Sequence, residues 1–230
     1  NYYENNKLKR NFYDFRTICV GNIYVGGTGK TPHIEYLIHL LSEKKIAVLS
    51  RGYGRKTNGL FWVEFDSDPN NVGDESLQIK QKFPNINVII SENRRRGIEE
   101  ILSKFPRTEV VLMDDGFQHR SLFRDLDIVL LSGSDNQQDH KLLPYGRLRE
   151  PWINIKRSDA VFITKDTPRP FLKRKISESR LPSFQTKIKV KVLEIKSSEQ
   201  KIRVGLRQTQ PDPFDWFKDC LLYTSDAADE

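Results

Sequence analysis

Cysteine is scarce. The 230 residues hold two, Cys19 and Cys220, far apart and without CxxC spacing. That excludes a disulfide framework or a thiolate zinc site as the basis of the fold, and it suits a reducing, cytosolic setting. Long apolar runs are missing as well. No window reaches the roughly 18 apolar residues of a membrane span, and no signal peptide is visible. The four histidines, His33, His39, His119 and His140, lack metal-ligand spacing. No repeated aromatic-basic pattern, helix–turn–helix or RNA-binding signature occurs, which argues against a nucleic-acid partner.

What is present is enough for a folded α/β chain. A hydrophobic share of 37% can bury a core, and the 30% of charged residues does not make the chain disordered. The net charge of +7 suits an anionic partner, whether nucleotide, acidic lipid or nucleic acid, and by itself does not choose among them.

After a polar, aromatic lead-in from Asn1 to Arg16, the apolar run Thr17–Val20 leads into a glycine loop. Ile34, Leu37, Ile38 and Leu41 then recur at helical spacing, with Pro32 in the first turn, where its missing N–H is not needed. Ile46–Leu49 reads as a second buried strand, so strand, helix and strand form a βαβ unit. Helices over Asp74–Phe83 and Ile98–Phe105 alternate with apolar strands at Val88–Ile90, Val110–Met113, Ile128–Leu131 and Ala160–Ile163. Uniformly apolar strands between amphipathic helices predict a doubly wound, mostly parallel sheet of the P-loop NTPase type, occupying residues 1–168. Beyond Pro168 the texture changes, and Gln185–Ile195 alternates Thr186, Ile188, Val190 and Val192 with lysines. That predicts a smaller, partial C-terminal α/β unit over 169–220, with the boundary between Asp166 and Pro182. Leu221–Glu230 continues neither pattern and reads as a non-native tail.

The glycine loop Val25-Gly26-Gly27-Thr28-Gly29-Lys30-Thr31 carries the clearest chemistry. Backbone N–H groups can surround a triphosphate only where no Cβ intrudes, and Gly26, Gly27 and Gly29 leave that room. Thr28 lies between them, and the following helix points its N-terminus at the anion. Lys30 would reach the β- and γ-phosphates, and the Thr31 hydroxyl would sit on Mg²⁺. Tyr24 stands where the commonest form of the loop has its first glycine, so the spacing is that of a G-G-x-G-K-T variant. Asp114 and Asp115 close an apolar strand, as a Walker-B carboxylate does, and can hold Mg²⁺ directly or through water.

Other groups are more ambiguous. Asp74 and Glu75 follow Gly73 at a helix start, where acids also serve as first-turn residues. Arg94-Arg95-Arg96 follows a strand, and a solvated cationic face is its simplest reading. Arg147 and Arg149 flank a loop with Pro144 and Gly146 and could clamp phosphates bidentately. His119 is the one histidine near this inferred chemistry. Thr164-Lys165-Asp166-Thr167 lacks the final acid of a guanine-recognition motif, which favours ATP over GTP.

Five strings in order resemble one family. They are Val20–Pro32, Ser50–Arg55, Val72–Glu75, Met113–His119 and Leu143–Pro151, and the family is the tetraacyldisaccharide 4′-kinases, the lipid A 4′-kinases of Gram-negative bacteria. The resemblance covers residues 16–165. It implies transfer of the γ-phosphoryl group of MgATP to the 4′-hydroxyl of a tetraacyldisaccharide 1-phosphate, giving lipid IVA at the cytoplasmic face of the bacterial inner membrane. It implies Lys30 and Thr31 at phosphates and metal, Asp114 as the Walker-B carboxylate with catalytic Asp115 beside it, and Asp74 as the base. Arg94, His119, Arg149 and Glu150 match positions near substrate or nucleotide. The expected partners are the lipid and an anionic membrane surface, with a monomer favoured. The family also carries a membrane-embedded helix upstream of the Asn1 equivalent and a longer C-terminal domain. A rival reading, a P-loop ATPase or GTPase of switch or metallochaperone type, shares the glycine loop but gives no reason for the Asp74, Gln118-His119 and Arg149-Glu150 strings.

Overall fold

The computed structural model describes residues 15–186, together with the backbone of 188–196 and 201–208. Seven of its strands are β1 (Arg16–Gly21), β2 (Ile46–Ser50), β3 (Phe61–Trp62), β4 (Asn87–Ile90), β5 (Val110–Asp114), β6 (Leu126–Ser132) and β7 (Ala160–Thr164). With β8 (Ser183–Gln185) they form an eight-stranded sheet in the order β3-β4-β2-β5-β1-β6-β7-β8. Every pairing is parallel except that of β3, a two-residue edge strand antiparallel to β4.

The apolar runs become central strands because both faces are covered. β2, β5 and β7 are buried at every residue. On one face, Ile18, Val20, Val48, Leu112 and Ile128 pack under α1 (Lys30–Leu40) and α2 (Asp74–Lys82), which contribute Ile34, Leu37, Ile38, Leu77 and Ile79. On the other face, Cys19, Leu49, Met113, Val129 and Ile163 meet α3 (Arg94–Lys104) and α4 (Pro170–Ser179) through Ile98, Ile101, Leu172 and Ile176. The period-two alternation of each strand thus feeds two separate cores.

β1 lies between β5 and β6, so the chain winds outward from it in both directions. That arrangement opens a crevice beyond the carboxyl ends of the central strands, where open α/β sheets bind their ligands. The glycine loop follows β1, Asp115 follows β5, and Ser132 and Thr164 end β6 and β7 on the same edge.

The structure departs from the sequence expectations at several places, among them the edge strand β3, which was not anticipated. Helix α3 begins at Arg94 rather than Ile98, because Asn93 caps it by accepting a 3.1 Å bond from the Arg96 amide. The sheet also does not stop near residue 168. α4 covers it, and β8 pairs with β7 from Val161↔Ser183 to Ile163↔Gln185. The lysine-alternating stretch beyond is a separate antiparallel pair, β9 (Ile188–Lys196) with β10 (Lys201–Gln208). Cys220 and the segment 221–230 lie outside the described residues.

Candidate active site

The glycine loop leaves β1 through Asn22, a buried residue whose amide ties the loop together. Its Nδ2 donates to the Thr28 hydroxyl at 2.8 Å and to the Gly26 carbonyl at 3.3 Å. Thr28 is buried, and its carbonyl accepts from the Thr164 hydroxyl at 2.9 Å, which fixes the loop to the end of β7. Gly26, with φ 110°, and Gly27 are exposed, and Gly29, with φ 86°, turns the chain into α1. A left-handed φ at Gly29 is what lets Lys30 and Thr31 open the helix with their amides free to face an anion.

Tyr24 has a structural role. It is almost fully buried, bridges to Leu148 as a single antiparallel pair, and hydrogen-bonds His140 through its hydroxyl. Val25 N donates to the Arg147 carbonyl at 2.8 Å, and Arg149 N donates to the Ile23 carbonyl at 2.8 Å. The 141–149 loop therefore runs as a rail alongside the glycine loop. A glycine at position 24 would lose this anchor.

His33 holds the other side. Its Nδ1–H donates to the Gly29 carbonyl at 2.7 Å, which leaves Nε2 to accept from the Thr186 hydroxyl at 3.1 Å. Burial pushes its pKa down to about 4, so the ring is neutral at physiological pH.

The charged centre lies between the loop and the end of β5. Asp115, at φ 53°, receives a two-pronged pair from Arg149, Nη1 to Oδ2 at 3.0 Å and Nη2 to Oδ1 at 2.7 Å. Lys30 Nζ is 3.7 Å from the same Oδ1. Burial alone would raise the Asp115 pKa, but the Arg149 bonds and the Lys30 charge outweigh it and hold the carboxyl below its usual range. Arg149 also bonds the Asn22 side chain and backbone carbonyl.

Asp114, one residue back, is in the opposite condition. Its Oδ2 accepts from Ser50 Oγ at 3.2 Å, while Oδ1 is buried with no hydrogen-bond partner. Burial pushes its pKa up to about 6 despite the nearby Lys30. An orphaned anionic oxygen behind the Lys30–Thr31 turn fits a bound cation, which would supply the missing partner and favour the ionised form. Among the described residues no trio of His, Cys, Asp and Glu gathers as a metal cluster, so such a cation would draw its other ligands from Thr31, phosphate and water.

The remaining expected residues are distributed as follows. Asp74 is exposed in the first turn of α2, and Gly73 before it packs against the 51–54 loop at the end of β2. Arg94 corrects the reading of a solvated cationic run, since it is buried while Arg95 and Arg96 are exposed. Its guanidinium bonds the Ser91 carbonyl and, at 3.2 Å, the Asp114 carbonyl, bracing the tip of β5 from below. His119 bonds the Ser121 hydroxyl at 2.8 Å. Desolvation, followed by the charges of Arg94, Arg124 and Arg51, lowers its pKa to about 4. Glu150 accepts from Gln118 at 2.8 Å, from Asn154 at 2.9 Å and from Arg157, which makes it an internal brace. Arg147 does not stand free as a phosphate clamp. It bonds the Val25 carbonyl twice, at 2.8 and 3.1 Å, and Asp135 at 3.3 Å.

Asn22, Ser50 and His33 are organising residues that the sequence did not single out as such. Asn22 and Ser50 lie inside the strings Val20–Pro32 and Ser50–Arg55, and that placement was the available signal.

Comparison with known proteins finds one family. The sequence profile of the tetraacyldisaccharide-1-P 4′-kinases matches residues 1–211. The tetraacyldisaccharide 4′-kinase of Porphyromonas gingivalis is 47% identical over 166 residues, covering 71% of this chain and 46% of that protein. That of Flavobacterium johnsoniae is 37% identical over 240 residues, covering 94% and 70%. A crystal structure of LpxK from Aquifex aeolicus in complex with ATP superposes with a TM-score of 0.68 at 33% identity, over 95% of this chain and 65% of that one. The chain spans about half the length of most curated relatives it matches.

Proposed function

Because the chain belongs to the tetraacyldisaccharide-1-P 4′-kinase family, we propose that its site transfers the γ-phosphoryl group of ATP to the 4′-hydroxyl of a tetraacyldisaccharide 1-phosphate. The observation that carries this reading is the gathering of the glycine loop, Asp114 and Asp115 on one edge of the sheet, with Asp74 opening α2 next to Gly73, which packs against the loop after β2. Phosphoryl transfer calls for alignment and charge neutralisation more than covalent chemistry, and these residues supply both.

In this mechanism the amides of Gly27–Thr31 and the Lys30 ammonium cradle the β- and γ-phosphates. Thr31 and Asp114 would hold Mg²⁺, which neutralises developing charge on the phosphates when bound. Arg149 and Asp115 set each other's orientation beside Lys30. Asp74 takes the proton from the attacking hydroxyl. Its exposure suits this role, since a lipid headgroup must reach it from outside. The reading extends to the cytoplasmic face of a bacterial inner membrane, an anionic bilayer surface and a monomeric enzyme. Among the described residues no helix is long and apolar enough to cross a membrane.

The test uses the protein expressed from its complete reading frame, incubated with γ-labelled ATP, Mg²⁺ and the disaccharide precursor. Labelled lipid is the expected product, and Asp74→Ala should lower its rate about 10²–10⁴-fold with ATP affinity little changed. Release of free phosphate with no labelled lipid would overturn the kinase reading in favour of a switch-type ATPase.

A further inference from the structure

The run Lys141–Tyr145 is exposed at every residue, yet it contains Leu142, Leu143 and Tyr145. Tyr145 is 86% exposed and the two leucines about half, an unusual concentration of bare apolar surface beside a charged site. The loop does not hold them out through slackness. Leu148 N bonds the Lys141 carbonyl at 3.0 Å, Leu143 N bonds the Leu148 carbonyl at 3.0 Å, and Tyr145 N bonds the Leu142 carbonyl at 2.9 Å. Gly146 lets the turn close, because a Cβ there would lie 2.4 Å from the Lys141 carbonyl oxygen. Leu148 is buried and paired with Tyr24, so the base of the loop is fixed in the core and its tip faces outward.

The exposed cation at the tip is Lys141, while the Arg147 guanidinium behind it is held by Asp135 and the Val25 carbonyl. Asp139 accepts from the Asn136 amide at 2.7 Å, and Glu150 is tied to Gln118, Asn154 and Arg157. Leucines and a tyrosine beside an exposed lysine, on a chain of net charge +7, match the interface of a bilayer with anionic headgroups, which takes apolar side chains below the phosphates and cations among them.

We propose that the Lys141–Leu148 loop is a membrane-touching tip, in which Leu142, Leu143 and Tyr145 enter an anionic bilayer and hold the glycine loop against its surface. The rail of bonds from Tyr24 and Val25 to Leu148 and Arg147 makes the two loops one rigid piece, so docking the tip sets the height of the phosphate site above the headgroups. The inference builds on the lipid-kinase reading, and vesicle binding without substrate tests it separately from that reading.

The experiment sediments the full chain with mixed phosphatidylethanolamine–phosphatidylglycerol vesicles. The chain carrying Leu142→Ser, Leu143→Ser and Tyr145→Ser together is run alongside. The triple variant should partition about ten- to hundredfold more weakly, with its ATP-induced thermal shift preserved. Equal partitioning of the two proteins overturns the proposal. A second variant, Tyr145→Trp, reads insertion directly against the three native tryptophans. Its added emission should be quenched by lipids brominated on the acyl chains, and an unquenched signal overturns the proposal even if the triple variant misfolds. Lipid-independent self-association that the serines abolish would assign the tip to a second copy of the chain and also overturn it.

Discussion

At the residue scale the two neighbouring aspartates were legible as a pair, and the resemblance assigned Asp114 to the metal and Asp115 to catalysis, but their contacts were not legible. Sequence places both at the end of an apolar strand. Only the fold turns Asp115 toward Arg149 and Lys30 while leaving one oxygen of Asp114 alone in the interior. The consequence is measurable without substrate. With its pKa raised from 3.8 to about 6, Asp114 binds its proton more tightly in the folded chain than in the unfolded one. Its contribution to stability is therefore greatest below about pH 4 and is lost as pH rises through about 6, a swing of up to about 3 kcal/mol. His33 has the opposite sign, since its neutral form is favoured and its contribution is lost as pH falls from 6.5 toward 4. Asp114→Asn should remove the first slope and leave the second. Thermal melts of both proteins from pH 4 to 7 (approximate limits set by these groups) check it, and a wild-type slope persisting in the variant would sink the assignment. Tyr24 and His140, 116 residues apart, could not be matched in advance, because neither side chain announces its partner by type or spacing.

At the element scale the six inner strands β1, β2, β4, β5, β6 and β7 were readable to within a residue or two, because a parallel sheet covered on both faces demands continuous apolar runs. The short edge strands β3 and β8 were not. The start of α3 was not. A polar asparagine followed by three arginines looks like a solvated turn, and the helix there depends on one side-chain cap and on a buried arginine carrying bonds to two carbonyls. The end of the sheet was misread for a related reason. The lysine alternation belongs to the separate pair β9–β10, and the three-residue β8 just before it has no apolar run to mark it as part of the sheet. The junction before α2 offers a test at this scale. Gly73 has φ 85°, and a Cβ there would lie 2.9 Å from the Tyr53 carbonyl oxygen. Gly73→Ala should cost about 1–3 kcal/mol in strain and shift the first turn of α2 that carries Asp74. Denaturant melts give the first number. Steady-state kinetics should show turnover falling while the Michaelis constant for ATP stays near its original value. A variant with wild-type turnover would separate the Gly73 turn from the position of Asp74.

At the scale of the whole molecule, strand order determines where function can lie. Because β1 sits between β5 and β6, the carboxyl edge of the sheet collects the loops that carry the glycines, both aspartates and the arginine rail. A ligand binding there stabilises every strand that feeds it. MgATP at about a hundred times its dissociation constant should add about 2.7 kcal/mol and raise the melting temperature. Lys30→Met should abolish that rise, and a rise that survives it would move the nucleotide to another part of the surface. The Arg149–Asp115–Lys30 cluster gives such binding a particular character. Arg149 and Lys30 share one resident carboxylate, Asp115, which offsets part of their charge. An anion that binds there would compete with that carboxylate for the two cations. A single weak anion offers little in that competition, whereas a chain of phosphates brings enough charge, together with the amides of the loop, to make binding favourable. Selectivity for polyphosphates over the cell's abundant small anions would then follow from competition inside the protein, with no need for a pocket shaped to exclude them.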